Sequence, residues 1–516
     1  MKEKVLAVRG VGRYRQYRIP AMAVTPSGRI IAIYDARFDF DDLPSPIDLV
    51  IRTSDDNGET WSEQAIFREH EGVSGYGDAS IIVDPNYGKQ GRVIVLYQYT
   101  QHAGFFESST GTDLNDPLIA QICISTSDDD GNTWSHGYIT DQLKSRNLFG
   151  IFATSGMGGV ITHGSFVGRL LQTFVLRDSE LYSAIGFSDD HGKTWSLGAK
   201  IPGGNETAIT SLNDGSILFH SRGTPFRLSG CSFDGGLTIV DFGPDQGLPD
   251  PSDNGSLTTL RNGELICTHN NDSSLRMNTV LKKSRDGGMS WPEQYLLEKG
   301  SSAYSTACEL RDGSIGVLFE RNAYVEMVFM KIEISEFMSI ENYKSSLEDD
   351  TKLTIIPRFI RPGRTHTNNQ LKIKSPTVPE VDMNIWRASE RKEVGAVGGS
   401  TSGDILYTTH ELNKIMGAIS PGLHLNDEIR ISGKLENKSK DIFNKVSLWA
   451  VSGTIIKEQQ DLLPGSSLTF LDYRQTVSVE DIERGYVEIA VKWLEDEDMR
   501  GIEKLRLSIE SGLPIR

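Results

Sequence analysis

The chain has 516 residues and a formal net charge of −17, from 53 Lys and Arg against 70 Asp and Glu. An acidic surface repels phosphates, so nucleic acid and anionic membrane surfaces are not expected as partners. The length exceeds that of an ordinary single domain and predicts a second one.

A short motif, Ser-x-Asp-x-Gly-x-Thr-Trp, recurs along the chain. Three copies keep every position, a fourth has Ser for Thr, and a fifth lacks the Trp. They begin at Ser54, Ser127, Ser188, Ser284 and, for the degenerate copy, Ser232. Asp and Gly predict a tight turn, with the Ser and Thr hydroxyls bonding turn amides and the Trp as an apolar plug. Such repetition indicates one β unit stacked many times.

Further turns separate strand-like apolar runs between these copies. They are expected at Gly28, Gly215, Gly263 and Gly313. Many short strands and the lack of a long helical period predict an all-β fold, with a β-propeller of about six blades over residues 1–340. Its closing strand is expected at residues 328–334.

The remainder of the chain has a different pattern. Residues 341–400 are charged and then Pro-rich, and are predicted to be a linker or small extension. Alternating runs at 429–433, 446–451, 467–471 and 487–493 predict a smaller immunoglobulin-like β-sandwich over residues 401–516. This accessory domain has no evident site chemistry. A spacer or dimerisation module is favoured over carbohydrate binding. A homo-oligomer formed through this domain is one of the two alternatives.

The four cysteines, at positions 123, 231, 267 and 308, are isolated in strand-like runs. They predict buried free thiols and neither a disulfide framework nor a metal site. No apolar run is long enough to span a membrane, so no membrane insertion is expected. The first ten residues lack the apolar region of a secretory signal, which favours the cytoplasm, with secretion as the alternative if a leader has been removed.

The motif that indicates function is Tyr17-Arg18-Ile19-Pro20-Ala21. Together with the repeated motif it resembles the bacterial exo-α-sialidases (neuraminidases), in which an Arg-Ile-Pro tripeptide of the first blade is followed by Asp boxes. The resemblance covers about residues 14–340. It implies a glycosidase that removes terminal sialic acids from oligosaccharides, glycoproteins or glycolipids without cofactor or metal.

The resemblance implies three arginines that bind the carboxylate of the sugar. They match Arg18, Arg222 in His-Ser-Arg-Gly, and Arg276 in Ser-Leu-Arg-Met. Arginine suits this role because its planar fork is always charged and meets a carboxylate with two hydrogen bonds.

The resemblance also implies a tyrosine nucleophile, matched by Tyr304, and a glutamate that removes its proton, matched by Glu206. Sialidases differ in this from most retaining glycosidases, which attack with a carboxylate. A neutral phenol avoids repulsion by the substrate carboxylate, but it needs a base because its pKa lies near 10.

The acid that protonates the leaving oxygen is expected in residues 35–48, which contain Asp35, Asp39, Asp41, Asp42 and Asp48. The family register counted from Arg18 selects Asp42, and counting back from Arg52 selects the same residue. There are two alternatives. The acid is Asp41, one position away, or the segment is a solvated acidic loop without a catalytic role.

Three further residues have expected supporting roles. Arg37 and Asp78 match family residues near the ring hydroxyls, and Glu320 matches a glutamate that pairs with the first arginine. Residues 149–156 resemble the family loop that lines the site. Two rival functions remain: a sialic-acid-binding propeller without turnover, and a trans-sialidase, which would need an aromatic platform for the acceptor.

Overall fold

The computed structural model describes residues 2–339, 352–360, 423, 425–450, 452–509 and 514–515. These residues are almost entirely β-structure, as predicted. The two α-helices among them are α1 (Thr140–Leu143) and α2 (Val479–Arg484). None of the described helices has the length and apolar character needed to cross a membrane.

The strands fall into two bodies. Those of the larger body are β1 (Lys2–Val8), β2 (Gln16–Val24), β3 (Ile30–Arg37), β4 (Ile47–Ser54), β5 (Ala65–Arg68), β6 (Gly75–Asp84), β7 (Arg92–Thr100), β8 (Gln121–Ser127), β9 (Ser135–Tyr138), β10 (Gly150–Ala153), β11 (Gly156–Met157), β12 (Gly159–Val160), β13 (Leu170–Arg177), β14 (Leu181–Ser188), β15 (Ser196–Pro202), β16 (Thr207–Ser211), β17 (Ile217–Ser221), β18 (Phe226–Ser232), β19 (Val240–Pro249), β20 (Ser256–Thr259), β21 (Leu265–Asn270), β22 (Met277–Ser284), β23 (Glu293–Glu309), β24 (Ile315–Arg321), β25 (Glu326–Ile332) and β26 (Met338–Ser339). Those of the smaller body are β27 (Lys352–Ile360), β28 (Glu428–Glu436), β29 (Phe443–Ala450), β30 (Ile455–Leu462), β31 (Ser467–Thr476), β32 (Tyr486–Glu495), β33 (Asp498–Ser508) and β34 (Pro514–Ile515).

The larger body is built from successive antiparallel units in which neighbours in sequence pair. The units are β2 to β5, β6 to β9, β10 with β13 to β15, β16 to β19, and β20 to β22 with the first part of β23. The last unit joins the second part of β23 to β24, β25 and β1. Because its outer strand is the first strand of the chain, this unit ties the two ends of the larger body together. No sequence pattern predicted β1.

Each unit is buried on both faces, which explains the nearly continuous apolar runs. In β3, Ile31 and Ile33 pack towards β6 and β7 of the next unit, whereas Ile30 and Tyr34 pack towards β24 and β25 of the last. Alternate residues of a strand point to opposite faces. The same apolar run therefore joins a unit to both of its neighbours, and the first unit contacts the last.

The repeated motifs form the expected turns. In the first copy, Ser54 Oγ accepts a hydrogen bond from the Gly58 amide, and the Asp56 carboxylate accepts from the amide and the hydroxyl of Thr60. The Thr hydroxyl therefore donates to Asp and does not bond a turn amide, which corrects that detail of the prediction. The Trp61 indole packs as expected and also donates to the Gly58 carbonyl.

The glycine of each motif contacts the unit before it. Gly58 has φ of +83° and lies against the ring of Phe329 in the last unit, and a Cβ built there would be 2.1 Å from a ring carbon. Gly131, Gly192, Gly236 and Gly288 lie similarly against Ile31, Ile94, Ile185 and Leu218. The motif thus connects adjacent units as well as closing a hairpin.

The four cysteines carry free thiols. Three are buried as predicted, while Cys231 is only half-buried.

The smaller body has two sheets, β27-β28-β31 and β30-β29-β32-β33-β34, whose apolar faces share one core. The four predicted runs correspond to β28, β29, β31 and β32. Strand β27 lies inside the predicted linker but pairs with β28, so this part of it belongs to the sheet. Residues 340–351 and 361–422, which contain the rest of the linker and the start of the predicted sandwich, lie outside the described residues.

Replacing Gly58 with Ala tests the contact between the first and last units. The variant should be destabilised by about 2–4 kcal/mol, because overpacking against Phe329 adds to the strain of a positive φ. Gly313→Ala is the matched control, since Gly313 has φ of +89° with nothing within 4 Å of the added Cβ. Thermal unfolding should show a clearly larger loss for Gly58→Ala; equal losses would contradict the packing role.

Candidate active site

Residues that the sequence analysis selected from distant parts of the chain line one cavity of about 300 Å³. Its wall includes Arg18, Asp42, Asp78, Glu206, Arg222, Arg276 and Tyr304. Arg37 and Glu320 are buried and contact two of these side chains: Arg37 donates to Asp42, and Glu320 accepts from Arg18. The structure therefore brings all nine selected residues to one place.

β-Bulges orient several of these side chains. The pairing of β2 with β3 shifts between Arg18 and Ala21, where Ile19 has φ of 60°. The pairing of β6 with β7 shifts around Asp78, and that of β23 with β24 shifts around Tyr304. A bulge bends its strand and redirects a side chain. A positive φ is rare for a β-branched residue such as Ile19, so the surrounding structure must impose it.

Tyr304, Glu206 and Arg222 form one hydrogen-bonded group. The Tyr304 hydroxyl donates to Glu206 Oε2 at 2.6 Å, and Arg222 Nη1 donates to Tyr304 Oη at 2.5 Å and to the same Glu206 oxygen. Burial raises the pKa of Tyr304 well above its ordinary value. The phenol is therefore neutral, with its proton directed at a carboxylate that can accept it.

The other two arginines each have a buried carboxylate partner. Arg18 Nε donates to Glu320 Oε1 at 2.8 Å, and the Ile19 amide donates to the same oxygen. Arg276 Nε lies 3.2 Å from Asp253 Oδ1. Burial raises the pKa of Asp253 to about 7, against the opposing influence of Arg276.

Two of the supporting residues, Asp253 and Tyr324, have no motif that would have selected them from the sequence. Asp253 lies in a Pro-Ser-Asp-Asn run that is typical of an ordinary turn. The ring of Tyr324 lies 4.1 Å from the Arg18 guanidinium, and its hydroxyl accepts from Arg276 Nη1 at 3.3 Å. Tyr324 and the two residues before it all have positive φ, in a turn that contains no glycine to signal it.

The acid loop, residues 38–46 between β3 and β4, presents Asp42 to the cavity. The Asp42 side chain is 55% exposed and accepts from Arg37 Nη2 at 3.1 Å. Asp41 is buried, and its carbonyl accepts from Arg37 Nη1. Of the two neighbouring acids, the geometry thus places Asp42 at the cavity wall.

Arg37 also joins a group of carboxyls beneath the cavity. Its Nη2 donates to Asp35 Oδ2 at 2.9 Å, and Asp35 Oδ1 accepts from the Asp78 amide. Burial raises the pKa of Asp35 to about 7, opposed by Arg37. Burial and then the negative charges of Asp42 and Asp35 raise the pKa of Asp78 as well. The group therefore carries less negative charge at neutral pH than its three carboxyls suggest.

Part of the cavity lining is apolar. It is lined by Phe105, Phe106, Phe152, Val175 and Leu181. Phe152 lies in the 149–156 segment that was expected to line the site, whereas the other four come from segments without a motif. Phe106 is 45% exposed and is an aromatic surface at the cavity wall.

A larger cavity of about 610 Å³ is lined by the turn at Gly28 and by Asn213, Arg261 and Arg311 beside other turns. It contains none of the selected residues, and Arg261 there is paired with Glu309. Among the described residues, no group of three or more His, Cys, Asp or Glu side chains is placed to hold a metal ion.

Comparison with known proteins gives the family. Residues 45–317 match the BNR repeat-like domain model, which covers more than half of the chain. The chain belongs to the BNR-repeat sialidase superfamily. Within this superfamily it is 34% identical over 337 residues to a sialidase of Micromonospora viridifaciens, covering 62% of this chain and 52% of that protein. The chain thus spans about half the length of that relative.

Solved structures of the superfamily share the fold. The Hadza microbial sialidase Hz136 superposes with a TM-score of 0.58 at 24% identity, over 65% of this chain and 69% of its own. A leech intramolecular trans-sialidase, solved with 2,7-anhydro-Neu5Ac, also gives 0.58, at 19% identity over 65% and 71%. The chain therefore has the fold of these sialidase structures.

The raised pKa of Asp35 predicts a dependence of stability on pH. The folded protein keeps a proton on Asp35 up to about pH 7, whereas the unfolded chain releases it near 3.8. The folded state binds more protons in this window, so this residue lowers stability as the pH rises from about 4 to 7. Asp35→Asn, which mimics the protonated form, should remove that loss, about 2–4 kcal/mol.

Urea unfolding at pH 5 and pH 8 measures this effect. The wild type should lose more stability than Asp35→Asn between the two conditions. Asp55→Asn, at an exposed carboxyl, is the control and should keep the pH dependence of the wild type. If Asp35→Asn keeps it too, Asp35 is already ionised at pH 5.

Proposed function

We propose that the protein is a retaining exo-α-sialidase that releases terminal sialic acids from glycoconjugates. The observation that carries the proposal is the Tyr304–Glu206–Arg222 group beside Arg18 and Arg276 in one cavity. A neutral phenol paired with a buried carboxylate among three guanidinium groups is suited to an anomeric carbon that bears a carboxylate. Membership of the sialidase superfamily supports the same activity.

In the first step, Tyr304 attacks the anomeric carbon while Glu206 accepts the phenol proton. The Tyr304 oxygen–carbon bond forms as the glycosidic carbon–oxygen bond breaks, and Asp42 gives a proton to the leaving oxygen. Arg222 assists, because it already donates to the tyrosine oxygen that gains negative charge. Arg18, Arg222 and Arg276 bind the substrate carboxylate throughout.

In the second step, water replaces the leaving group. Asp42, now ionised, removes a proton from the water, which attacks the anomeric carbon. The bond to Tyr304 breaks, and Glu206 returns its proton to the phenolate. Two inversions give net retention at the anomeric carbon.

Two structural assignments belong to this proposal. The four-stranded units of the larger body are interpreted as six blades of a propeller, with the cavity at one end of its axis. The two sheets of the smaller body are interpreted as an immunoglobulin-like sandwich. Support comes from the pairing of successive strands within each unit and from the shared core of the two sheets.

Transfer of the sugar to an acceptor other than water is the second candidate activity. It is favoured by the exposed ring of Phe106 at the cavity wall, which could stack on an acceptor sugar, and by the leech trans-sialidase among the structural relatives. Incubation with the α2,3 and α2,6 isomers of sialyllactose, with and without added isotope-labelled lactose, separates the candidates, because the label distinguishes a transfer product from the donor. Hydrolysis gives free sialic acid as its α-anomer, visible by proton NMR; transfer gives a new sialoside or a 2,7-anhydro product.

The leaving group distinguishes Asp42 from Asp41. Asp42→Ala should lose at least about 10²-fold more kcat/KM on sialyllactose than on a nitrophenyl sialoside, because only the poor leaving group needs protonation. Asp41→Ala should show no such contrast, and Tyr304→Phe should be severely impaired on both substrates. If Asp41→Ala shows this contrast between substrates instead, the acid is Asp41. If neither variant shows it, the acid lies elsewhere.

The carboxylate-binding role of Arg276 predicts a loss that lysine does not repair. Arg276→Ala should cost about 1.5–3 kcal/mol in kcat/KM, the value of a charge-assisted pair. Arg276→Lys should remain well below the wild type, since an ammonium lacks the planar fork. Arg285→Ala, at a 63% exposed arginine, is the control. Activity of either Arg276 variant within twofold of the control would exclude the role.

A further inference from the structure

The smaller body contacts the larger one at the acid loop. Phe40 of that loop is only 7% exposed and belongs to the hydrophobic core of the smaller body, with Leu423, Ile429 and Ile431. The loop that presents Asp42 is therefore packed into the second body by a residue two positions before the acid.

A buried ion pair reinforces this contact. Arg15 Nη2 lies 2.9 Å from Asp427 Oδ2, with the two side chains 1% and 3% exposed. The guanidinium of Arg15 also lies 4.1 Å from the centre of the Phe40 ring, and that of Arg9 lies 4.5 Å away. The Arg15 amide donates to the carbonyl of Arg37, whose side chain bonds Asp42. Asp427 is thus connected to Asp42 through Arg15, Phe40 and Arg37.

A second contact from the same part of the smaller body reaches the loop that precedes Arg276. Lys434 of β28 donates to Asp272 Oδ2. The other oxygen of Asp272 accepts from the amides of Ser274 and Leu275, the two residues before Arg276. Lys434 therefore anchors the carboxylate that shapes the Arg276 loop, residues 271–276.

We propose that the smaller body acts as a positioning element of the active site, with Asp427 holding the acid loop and Lys434 holding the Arg276 loop. This rests on the proposed sialidase activity and adds a contact inside one chain to the expected spacer or dimerisation role. Asp427 and Lys434 do not line the cavity, so they act through Phe40, Arg15 and Asp272. Lys434 lies on β28 and Asp427 lies directly before that strand. Because the two anchors belong to one segment, they also fix the position of Asp42 relative to Arg276.

The two anchors predict different kinetic changes. Asp427→Asn should lower kcat/KM on sialyllactose about tenfold more than on a nitrophenyl sialoside, because a displaced acid matters only for the poor leaving group. Lys434→Ala should raise KM several-fold on both substrates with little change in kcat, and Lys434→Arg should largely restore it. The matched controls, Asp472→Asn and Lys504→Ala, change side chains 59% and 51% exposed and should behave as the wild type.

Hydrogen exchange provides a readout that needs no activity. Asp427→Asn should speed amide exchange in residues 38–46, and Lys434→Ala in residues 271–276, each without affecting the other loop. Phe40→Leu keeps an apolar side chain and should give the same exchange pattern as Asp427→Asn. It serves as the second variant where Asp427→Asn folds poorly.

The possible outcomes separate the two proposals. Unchanged exchange and kinetics in both anchor variants would reduce the smaller body to a spacer. So would losses in Asp427→Asn that are equal on both substrates and follow its thermal stability. A wild type that cleaves no sialoside would refute the proposed activity. The exchange results would then still show whether the smaller body holds the two loops.

Discussion

The structure depends on keeping several guanidinium groups charged inside a small cavity. An isolated charge buried away from water is very unfavourable, and a buried ion pair is tolerated only when its geometry is good and its remaining groups are bonded. Each arginine of the site is paired with its own carboxylate: Glu320 for Arg18, Glu206 for Arg222, Asp253 for Arg276 and Asp35 for Arg37. Burial raises the pKa values of Asp253 and Asp35 to about 7, so neutralisation is incomplete and favours an anionic ligand.

These pairs require the fold that surrounds them. Arg18 of β2 meets Glu320 of β24, so the first unit of the chain must contact the last. Tyr304 of β23 meets Glu206, which precedes β16. Apolar runs buried on both faces, the motif glycines and the pairing of β1 with β25 hold these units together. Bulges then turn Arg18, Asp78 and Tyr304 towards the cavity.

The smaller body likewise holds two loops of the site in place, the acid loop and the Arg276 loop. A loop between strands has few contacts of its own and is mobile unless something packs against it. Phe40 gives the acid loop a place in a second hydrophobic core, and Asp272 gives the Arg276 loop a charged anchor. In the proposed mechanism Asp42 is a positioned acid, and catalysis of this kind is sensitive to displacements of about 1 Å. Support of its loop would then affect turnover directly.

The all-β class and the turns of the repeated motif could be predicted from the sequence, because they follow from local chemistry. The nine selected residues were chosen through the resemblance to a family, and the fold brings them to one cavity. Tertiary structure alone decided the rest. It joined β1 to β25, assigned β27 to a sheet, brought Asp253 and Tyr324 to the arginines, and inserted Phe40 into the second core. No local sequence pattern predicts these contacts. An Asp in a turn, a Tyr with no neighbouring glycine and a Phe in an acidic loop are common in protein sequences. Their roles arise from partners that lie far away along the chain, up to 412 residues for Arg15 and Asp427.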